Sequence, residues 1–392
     1  MKVLHFYRTY FPDTQGGLEE AIRQICASAR EFGVESRILT ISPTAQPAVL
    51  ERPEAVVYRA KLNLEIASCS MGFQAFTLFN ELANWADVIH YHFPWPFADI
   101  VKLAASIKKP SVITYHSDIV RQRMLGKLYA PLMSYFLRSA DRIVATSPNY
   151  LASSPILKRY ADKVEVIPLA LDRNTYPRVD AQHLQLAEQK YGRDFFLFIG
   201  VLRDYKGVHI LLEAIKNAPY RVVIVGIGPN ETQLKQLADR LKLTNVEFTG
   251  YLDDNMKIAL LQLCKAVVCP SHQRSEAFGF SLLEGAMMGK PLISAELGTG
   301  TTYININHET GLVVPPANAQ ALRKAMDYLF ENPLAAAAFG RNAQRRYEEK
   351  FTAKIMGGAY ASLYQKVART NNLADTLSQS AKITPIKKSQ SS

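Results

Sequence analysis

The feature that most constrains the fold is a regular alternation of short apolar runs with stretches of helical periodicity. Apolar runs bounded by turn residues predict strands, and the amphipathic stretches between them, such as residues 18–32 and 98–107, predict helices. In the first half of the chain, strands are predicted at residues 3–7, 36–41, 55–58, 87–91, 111–115, 142–146 and 164–168. This order is typical of a parallel sheet covered by helices on both faces.

The alternation weakens at residues 176–192 into a polar, proline-marked connection, and then it restarts. Further strands are predicted at residues 195–201, 221–225, 246–249, 266–269, 291–294 and 311–314, with helices at 208–216, 231–241 and 256–263. We therefore predict an α/β protein with two doubly wound parallel-sheet domains that face a cleft, where a ligand usually binds. The predicted segments are a first domain at 1–185, a second at 186–345, a helix at 346–370 and a disordered, Ser- and Lys-rich tail at 371–392.

The composition is that of a globular protein with full cores, since 48% of its 392 residues are apolar. The sequence contains no apolar run of 18 residues, begins without the cleavage site of a signal peptide, and has four scattered cysteines without metal-binding spacing. We therefore expect a cytoplasmic protein with reduced thiols. The formal net charge of +11 favours nucleotide diphosphates, an acidic membrane surface or nucleic acid as partners, and charge alone does not choose among them.

The stretch at residues 271–290 carries the clearest chemical signal. Glu276 follows a predicted strand, at the carboxyl end where open α/β sheets bind ligands. Glu284 lies in an apolar helix predicted at 278–288, where a carboxylate needs hydrogen-bond donors, and the diol of a sugar or a ribose offers two. By charge pattern alone, a helix-terminal acid and a surface acid form an equally good interpretation.

The run Glu276-Ala-Phe-Gly-Phe-Ser-Leu-Leu-Glu284 resembles the Glu-x7-Glu signature of glycosyltransferase family 4, in the same strand–loop–helix setting. The resemblance extends over nearly the whole chain. It implies the GT-B fold, with a first domain that binds the acceptor and a second that binds a nucleotide sugar. It also implies that the last helices, at 347–369, cross back to the first domain, and that Phe278 and Gly279 belong to the donor site.

In the first domain, Gly16 and Gly17 open the predicted first helix, where paired glycines let backbone amides approach an anion. A simple turn and helix start is the alternative, and the resemblance implies that the pair lies near the donor diphosphate. His116 follows a predicted strand and matches the family histidine that contacts the donor sugar, although a lone histidine is more often a core or surface residue.

Three further residues of the first domain are assigned to the acceptor side. His92 and Trp95 follow a predicted strand and are expected to line the wall of the acceptor site. Asp118 either orients His116 or caps the following helix. The stretch at 121–138 is both basic and apolar, which suits a helix on an anionic bilayer as well as it suits an ordinary packed helix.

In the second domain, Lys206 matches the family lysine that follows the first strand, whereas the family arginine is displaced to Arg203. Both cations precede a predicted helix, which is a suitable place to bind a diphosphate. The resemblance places Gly226 near the nucleotide and Tyr251 beside the base. Gly300 stands in a loop that departs from the family pattern, and we expect its amide to approach a phosphate.

These observations predict a retaining glycosyltransferase that moves mannose from GDP-mannose to a lipid-linked saccharide, as the resemblance to O-antigen mannosyl- and rhamnosyltransferases implies. Glu276, Lys206, Arg203 and His116 are the predicted catalytic residues. No metal or other cofactor and no nucleic acid is expected, and the cytoplasmic face of the inner membrane is an expected second partner. The alternatives are another GDP- or UDP-sugar donor, a nucleotide-sugar epimerase or hydrolase, a nicotinamide oxidoreductase, and a basic nucleic-acid-binding protein.

Overall fold

The computed structural model describes residues 1–66, 69–105, 107, 109–119 and 123–382, and it contains two large sheets. The eight-stranded first sheet has the order β10-β9-β8-β7-β1-β2-β4-β3, and its neighbours are parallel except for the antiparallel pair at the β3 edge. Its strands, with the small β5–β6 hairpin, are β1 Lys2–Phe6, β2 Glu35–Ser42, β3 Val49–Glu51, β4 Val56–Lys61, β5 Leu64–Ile66, β6 Cys69–Met71, β7 Val88–Phe93, β8 Ser111–Tyr115, β9 Arg142–Ala145 and β10 Val164–Val166.

Helices cover both faces of the first sheet because their apolar residues recur with helical spacing. Helix α1, for example, buries Ala21, Ile22, Ile25 and Ala29. The helices of this half are α1 Gly17–Arg30, α2 Gln74–Trp85, α3 Pro96–Ala104, α4 Arg123–Ser139, α5 Pro148–Ser153 and α6 Pro155–Lys158. The basic stretch predicted at 121–138 falls mostly on α4, and residues 121 and 122 lie outside the described residues.

The second sheet is entirely parallel, has six strands, and follows the order β13-β12-β11-β14-β15-β16. Its strands are almost wholly apolar, as expected for strands with helices on both faces. They are β11 Phe196–Ile199, β12 Val222–Val225, β13 Val246–Gly250, β14 Ala266–Cys269, β15 Leu292–Ala295 and β16 Gly311–Val314. The helices are α7 Ala181–Tyr191, α8 Val208–Ala214, α9 Glu231–Arg240, α10 Asp254–Leu263, α11 Phe280–Met287, α12 Thr301–Ile304, α13 Ala319–Glu331 and α14 Pro333–Lys350. The predicted fold class, two doubly wound parallel-sheet domains, is confirmed.

The connection predicted at 176–192 as irregular contains helix α7. The Asp180 side chain accepts a hydrogen bond from the His183 amide at 2.8 Å and so caps the helix. Ala187 and Tyr191, four residues apart, are buried and pack this helix near α10. The polar composition concealed the helix because only one narrow stripe of it is apolar.

The last helix, α15 Ala353–Lys382, packs on α1 and on strands β7 and β8 of the first sheet. Tyr360 and Tyr364 make hydrogen bonds with Thr114 and His90 of those strands. The helix bounds differ from the predicted segment at 346–370, since Phe351 separates α14 from α15 and α15 extends to Lys382. The stretch 371–382 contains neither glycine nor proline, so nothing in it ends a helix. Residues 383–392 of the predicted tail lie outside the described residues.

Within the described part of the chain, no helix combines the length and the apolar character needed to cross a membrane.

Candidate active site

The loops after the carboxyl ends of β11 and β14 bring together two of the four predicted catalytic residues, Lys206 and Glu276. Lys206 Nζ lies 2.6 Å from Glu276 Oε2, and the Ser271 hydroxyl donates a hydrogen bond to the same carboxylate oxygen at 2.8 Å. Both of these contacts use Oε2. Among the described residues, none bonds to Oε1, so this oxygen is left for a ligand.

The Lys206–Glu276 pair is nearly buried, and the carboxylate beside Lys206 keeps the lysine ammonium charged. Burial lowers the pKa of Lys206, but the Glu276 carboxylate more than compensates, so the pKa of the ammonium lies above its ordinary value. The loop is also held tightly, because Gly207 has φ of +70° and a Cβ there would lie 2.0 Å from the Pro270 carbonyl oxygen. Any larger residue would push the lysine loop away from the loop that leads to Glu276.

Glu284 repeats this arrangement one turn into α11. Its Oε1 accepts a hydrogen bond from the Tyr176 hydroxyl at 3.1 Å and lies 3.0 Å from Lys257 Nζ. Burial lowers the pKa of Lys257, whereas Glu284 and Asp254 raise it to a net value above the ordinary one. Again one carboxylate oxygen is held by a lysine and a hydroxyl, and no described residue bonds to the other.

The start of α11 lies between these two carboxylates. Gly279 precedes the helix with φ of +99°, a conformation that side chains with a Cβ rarely adopt. The backbone amides of Phe280 and Ser281 donate to no described residue, so they remain open to an anion at the positive end of the helix. This geometry fits the predicted place of Gly279 at the donor site.

Two predicted donor-site glycines are explained by close packing. The Gly300 amide donates to the Ala277 carbonyl at 2.8 Å, and a Cβ on Gly300 would lie 2.6 Å from the ring of buried Phe278. The Gly226 amide donates to the Gly250 carbonyl at 2.9 Å, and a Cβ there would lie 2.0 Å from the Gly200 carbonyl oxygen. The Gly300 amide thus already has a partner within the protein, and its predicted approach to a phosphate stays a prediction.

His116 lies at the end of a chain of three buried histidines on adjacent strands. His116 Nε2 is 3.0 Å from His92 Nδ1, and His92 Nε2 is 3.1 Å from His5 Nδ1. Each imidazole is fixed by its neighbour, and His116 Nδ1 is left without a bond to any described residue.

The buried histidines are held uncharged. Burial lowers the pKa of both His5 and His116 to about 3, and it lowers the pKa of His92 well below its ordinary value, with neighbouring histidines adding to the effect. His116 can therefore donate or accept one hydrogen bond as a neutral imidazole. It is not suited to act as a general base near neutral pH, because its conjugate acid would be too strong.

The predictions for the acceptor side need correction. His92 and Trp95 are each 1% exposed, so neither lines a wall. His92 lies behind His116, and the Trp95 indole donates to the Ser70 carbonyl within the core. Both faces of a parallel sheet are covered, so the side chains on either face of its strands are buried. The sequence pattern alone did not reveal this burial.

Among the described residues Asp118 makes no bond to His116 and pairs with the other half of the chain instead. Residues 120–122, just before α4, lie outside the described residues, so the capping role of Asp118 stays a prediction. Arg274 Nη2 donates to Asp118 Oδ2 at 3.0 Å, and Arg274 Nη1 donates to the Ser153 hydroxyl and the Leu297 carbonyl. Asp118 Oδ1 accepts from the hydroxyls of Tyr115 and Ser154. Arg274, which precedes Glu276 by two residues, thus links the first half of the chain to the second.

A second contact between the halves involves the glycine pair. Helix α1 begins at Gly17 after the extended Gly16, as expected from the sequence. A Cβ on Gly17 would lie 3.5 Å from the ring of Phe280, the first residue of α11. The glycine pair therefore faces the helix that carries Glu284. Arg203 and Tyr251 are both exposed, and their predicted roles stay predictions.

Four functional candidates escaped sequence reasoning because each acts through a partner far away in the chain. They are His5, Tyr176, Lys257 and Arg274. His5 had a usable signal, since it is a polar residue inside an apolar strand. The other three are ordinary surface residue types in the sequence, and no local pattern marks them.

Comparison with known proteins agrees with this geometry. Residues 15–175 match the family model described as Glycosyltransferase Family 4, and residues 184–346 match the model described as Glycosyl transferases group 1. The chain is 54% identical to D-rhamnosyltransferase WbpZ of Pseudomonas aeruginosa, over 90% of this chain and 93% of that protein. It is 46% identical to O-antigen chain mannosyltransferase C of Escherichia coli, over 93% and 98% of the two chains.

Solved structures show the same fold at lower identity. Sucrose-phosphate synthase from Thermosynechococcus elongatus superimposes with a TM-score of 0.78 at 20% identity, over 94% of this chain and 99% of that one. HepE of Anabaena, solved with UDP, gives a TM-score of 0.76 at 20% identity over 93% and 100%. The motif, the two facing sheets and the two relatives of high identity lead to one conclusion: this chain belongs to glycosyltransferase family 4 and has the GT-B fold.

Proposed function

We propose that this glycosyltransferase transfers mannose from GDP-mannose, with retention of configuration, to a lipid-linked saccharide during O-antigen assembly. The observation that carries the proposal is the repeated carboxylate arrangement. Glu276 and Glu284 each present one unoccupied oxygen, eight residues apart on a loop and a helix at one end of the second sheet. Two such acceptors suit the sugar and the ribose of one nucleotide-sugar donor.

The charges around the loop suit a diphosphate leaving group. Lys206 and Arg203 are cations on the loop before α8, and the open amides at the start of α11 add a positive helix end. Negative charge develops on the diphosphate as the glycosidic bond breaks. Preorganised donors that stabilise this charge are the main electrostatic contribution to catalysis.

The remaining residues position the sugar. Glu276 Oε1 accepts from hydroxyls of the transferred sugar, and Glu284 accepts from the ribose diol. His116 Nδ1 contacts the sugar from the first half. A phosphate oxygen of the donor takes the proton of the acceptor hydroxyl, because the neutral His116 and the lysine-paired Glu276 are both poor bases. This transfer requires no metal ion.

GDP-D-rhamnose is the second candidate donor, and the 54% identity to a D-rhamnosyltransferase favours it. D-Rhamnose is mannose without the 6-hydroxyl group, so the two donors share every other contact. The lipid-linked acceptor brings the enzyme to the cytoplasmic face of the inner membrane, where its charge of +11 supports binding to anionic lipids.

The test combines binding with turnover. Thermal shift with GDP, UDP, GDP-mannose, GDP-D-rhamnose and UDP-glucose, each in excess with a chelator present, reports which ligand binds the native state. A transfer assay with a lipid-linked saccharide primer then identifies the donor. We expect stabilisation by the guanosine compounds and transfer of mannose. Stabilisation by uridine compounds alone, or release of free sugar with no transfer, would contradict the proposal.

A further inference from the structure

A second group of polar side chains lies beside the Lys206–Glu276 pair and has no part in the proposed transfer. It consists of Asp204 on the lysine loop, His209 in the first turn of α8 and His272 on the loop that leads to Glu276. One ligand atom from each residue lies within 4.8 Å of the other two. We propose that these three residues bind a divalent transition-metal ion of the Zn²⁺ class.

The donor set fits such an ion. Two imidazole nitrogens and one carboxylate oxygen form the usual three-ligand set of an open zinc site, with water in the fourth position. Mg²⁺ and Ca²⁺ prefer oxygen ligands, so they are poor matches.

The present contacts mark the position that a cation would take. The Gln273 side-chain amide nitrogen lies 3.2 Å from Asp204 Oδ2 and 3.1 Å from His272 Nε2. The positive end of the amide dipole therefore already lies between two hydrogen-bond acceptors. His272 Nδ1 is buried, and no described residue bonds to it. The Asp204 side chain is 53% exposed and can turn toward an entering ion.

The other histidine cluster in the described residues, His5 with His90 and His92, is less suited to a metal. His90 bonds to Tyr364 and Thr114 through its two ring nitrogens, and His92 bonds to His116 and His5 through its own. Binding an ion there would break buried hydrogen bonds, each of which costs free energy. Binding an ion at the Asp204 cluster would break only the two contacts that the Gln273 side-chain amide makes with Asp204 and His272.

A metal at this site would link the two loops that carry the proposed catalytic pair. Asp204 precedes Lys206 by two residues, and His272 precedes Glu276 by four. The loops already touch, since the His272 amide donates to the Tyr205 carbonyl at 3.0 Å. The ion would therefore hold the lysine loop against the glutamate loop and stabilise the native state by linkage.

The test titrates chelator-treated full-length protein with Zn²⁺ by calorimetry, and with Co²⁺ by the visible absorption of a low-symmetry Co²⁺ site. We expect one equivalent to bind, with a rise in the melting temperature. In Asp204→Asn, His209→Gln and His272→Gln the affinity should fall by roughly tenfold or more, as the loss of a ligand implies. Mg²⁺ should give neither signal.

The matched control is His183→Gln, which removes a partly exposed histidine that pairs with Asp180 on α7 and does not belong to the cluster. It should bind Zn²⁺ like the unmodified protein. Melting temperatures of the metal-free variants verify that each one folds. Equal Zn²⁺ affinity in all variants, or no binding by the unmodified protein, would overturn the proposal. Neither readout depends on activity, so failure of this site is distinguishable from failure of the proposed transfer.

Discussion

The two halves of the cleft are built on similar parallel sheets, yet they present opposite chemistry. The first half offers His116 at the end of a buried, uncharged chain of imidazoles. The second half offers two carboxylates, each fixed by a lysine ammonium and a hydroxyl. In both halves one atom of the functional group is held by the protein and another is left for a ligand.

The difference indicates a division of labour. A charged diphosphate and its ribose need fixed ions and hydroxyl-binding carboxylates, which the second half supplies. In the proposed function the transferred sugar contacts both halves, with Glu276 on one side and the neutral imidazole of His116 on the other.

Glu276→Ala should reduce turnover by about 200- to 800-fold. The substitution removes the acceptor for the sugar hydroxyls and leaves Lys206 nearly buried without its partner, and loss of such an electrostatic group costs about 3–4 kcal/mol in the transition state. Steady-state transfer kinetics measure the effect. Glu213→Ala, on the exposed face of α8, is the matched control and should keep full activity. Full activity in Glu276→Ala would refute the site assignment.

Lys206→Met should reduce turnover by about a hundredfold, since the diphosphate loses one fixed cation while an unbranched side chain one atom shorter remains. Lys206→Arg should restore part of the loss, because the charge returns with different geometry. Transfer rates at saturating donor are the measurement. Equal rates in the methionine and arginine variants would show that charge at this position does not matter.

Arg274→Gln should reduce the ratio kcat/KM by roughly tenfold, because the Asp118–Arg274 pair joins the halves beside the site. Asp118→Asn should give a similar loss, and the double variant should lose little more, since both changes remove the same contact. Kinetics of the three variants form the test. Additive losses would mean that the two residues act separately.

The histidine chain should make the protein sensitive to acid. The pKa of His5 and of His116 is lowered from 6.5 to about 3 in the folded state, so the unfolded state binds more protons between these values. Stability is therefore fully present above pH 6.5 and falls as the pH is lowered, by up to about 1.4 kcal/mol per pH unit for each histidine.

Urea unfolding between about pH 7.5 and 5.5, above the range where most carboxylates titrate, measures this slope. His5→Leu should have a shallower slope, and the surface variant His183→Leu should not. If the unfolding free energy changed equally with pH in the unmodified protein and in both variants, the buried histidines would not be held uncharged.

Tyr176→Phe should have the smallest effect, a weakening of nucleotide affinity by a few fold. The change removes one hydroxyl that holds Glu284 at 3.1 Å, while Lys257 remains, and one hydrogen bond contributes about 1 kcal/mol. Calorimetric titration with GDP measures it. A loss as large as that of a Glu284 substitution would mean that the hydroxyl, and not the lysine, positions the carboxylate.

Much of the fold follows from the sequence because apolar runs between turn residues have few alternatives. The predicted strands at 111–115, 266–269 and 311–314 coincide with β8, β14 and β16. The strand edges elsewhere differ by a few residues, and α7 and the end of α15 were missed because their sequences are polar.

The candidate site was only partly predictable. Glu276, Glu284 and Lys206 lie in motifs whose local setting identifies them. Their partners Lys257 and Tyr176 come from other parts of the chain and are brought together only by tertiary packing. For the same reason, the sequence could not show that His92 is buried and bonded to His116. Whether the side chain of a strand residue is buried depends on which faces of the sheet are covered.

The affinities for GDP and for GDP-mannose test whether Glu284 holds the ribose of the nucleotide while His116 contacts only the transferred sugar. Calorimetry on Glu284→Gln and His116→Ala gives both values for each variant. We predict that Glu284→Gln weakens both ligands equally, by roughly tenfold or more. His116→Ala should leave GDP binding unchanged and weaken only the nucleotide sugar. Equal loss of GDP affinity in the two variants would contradict the division of labour.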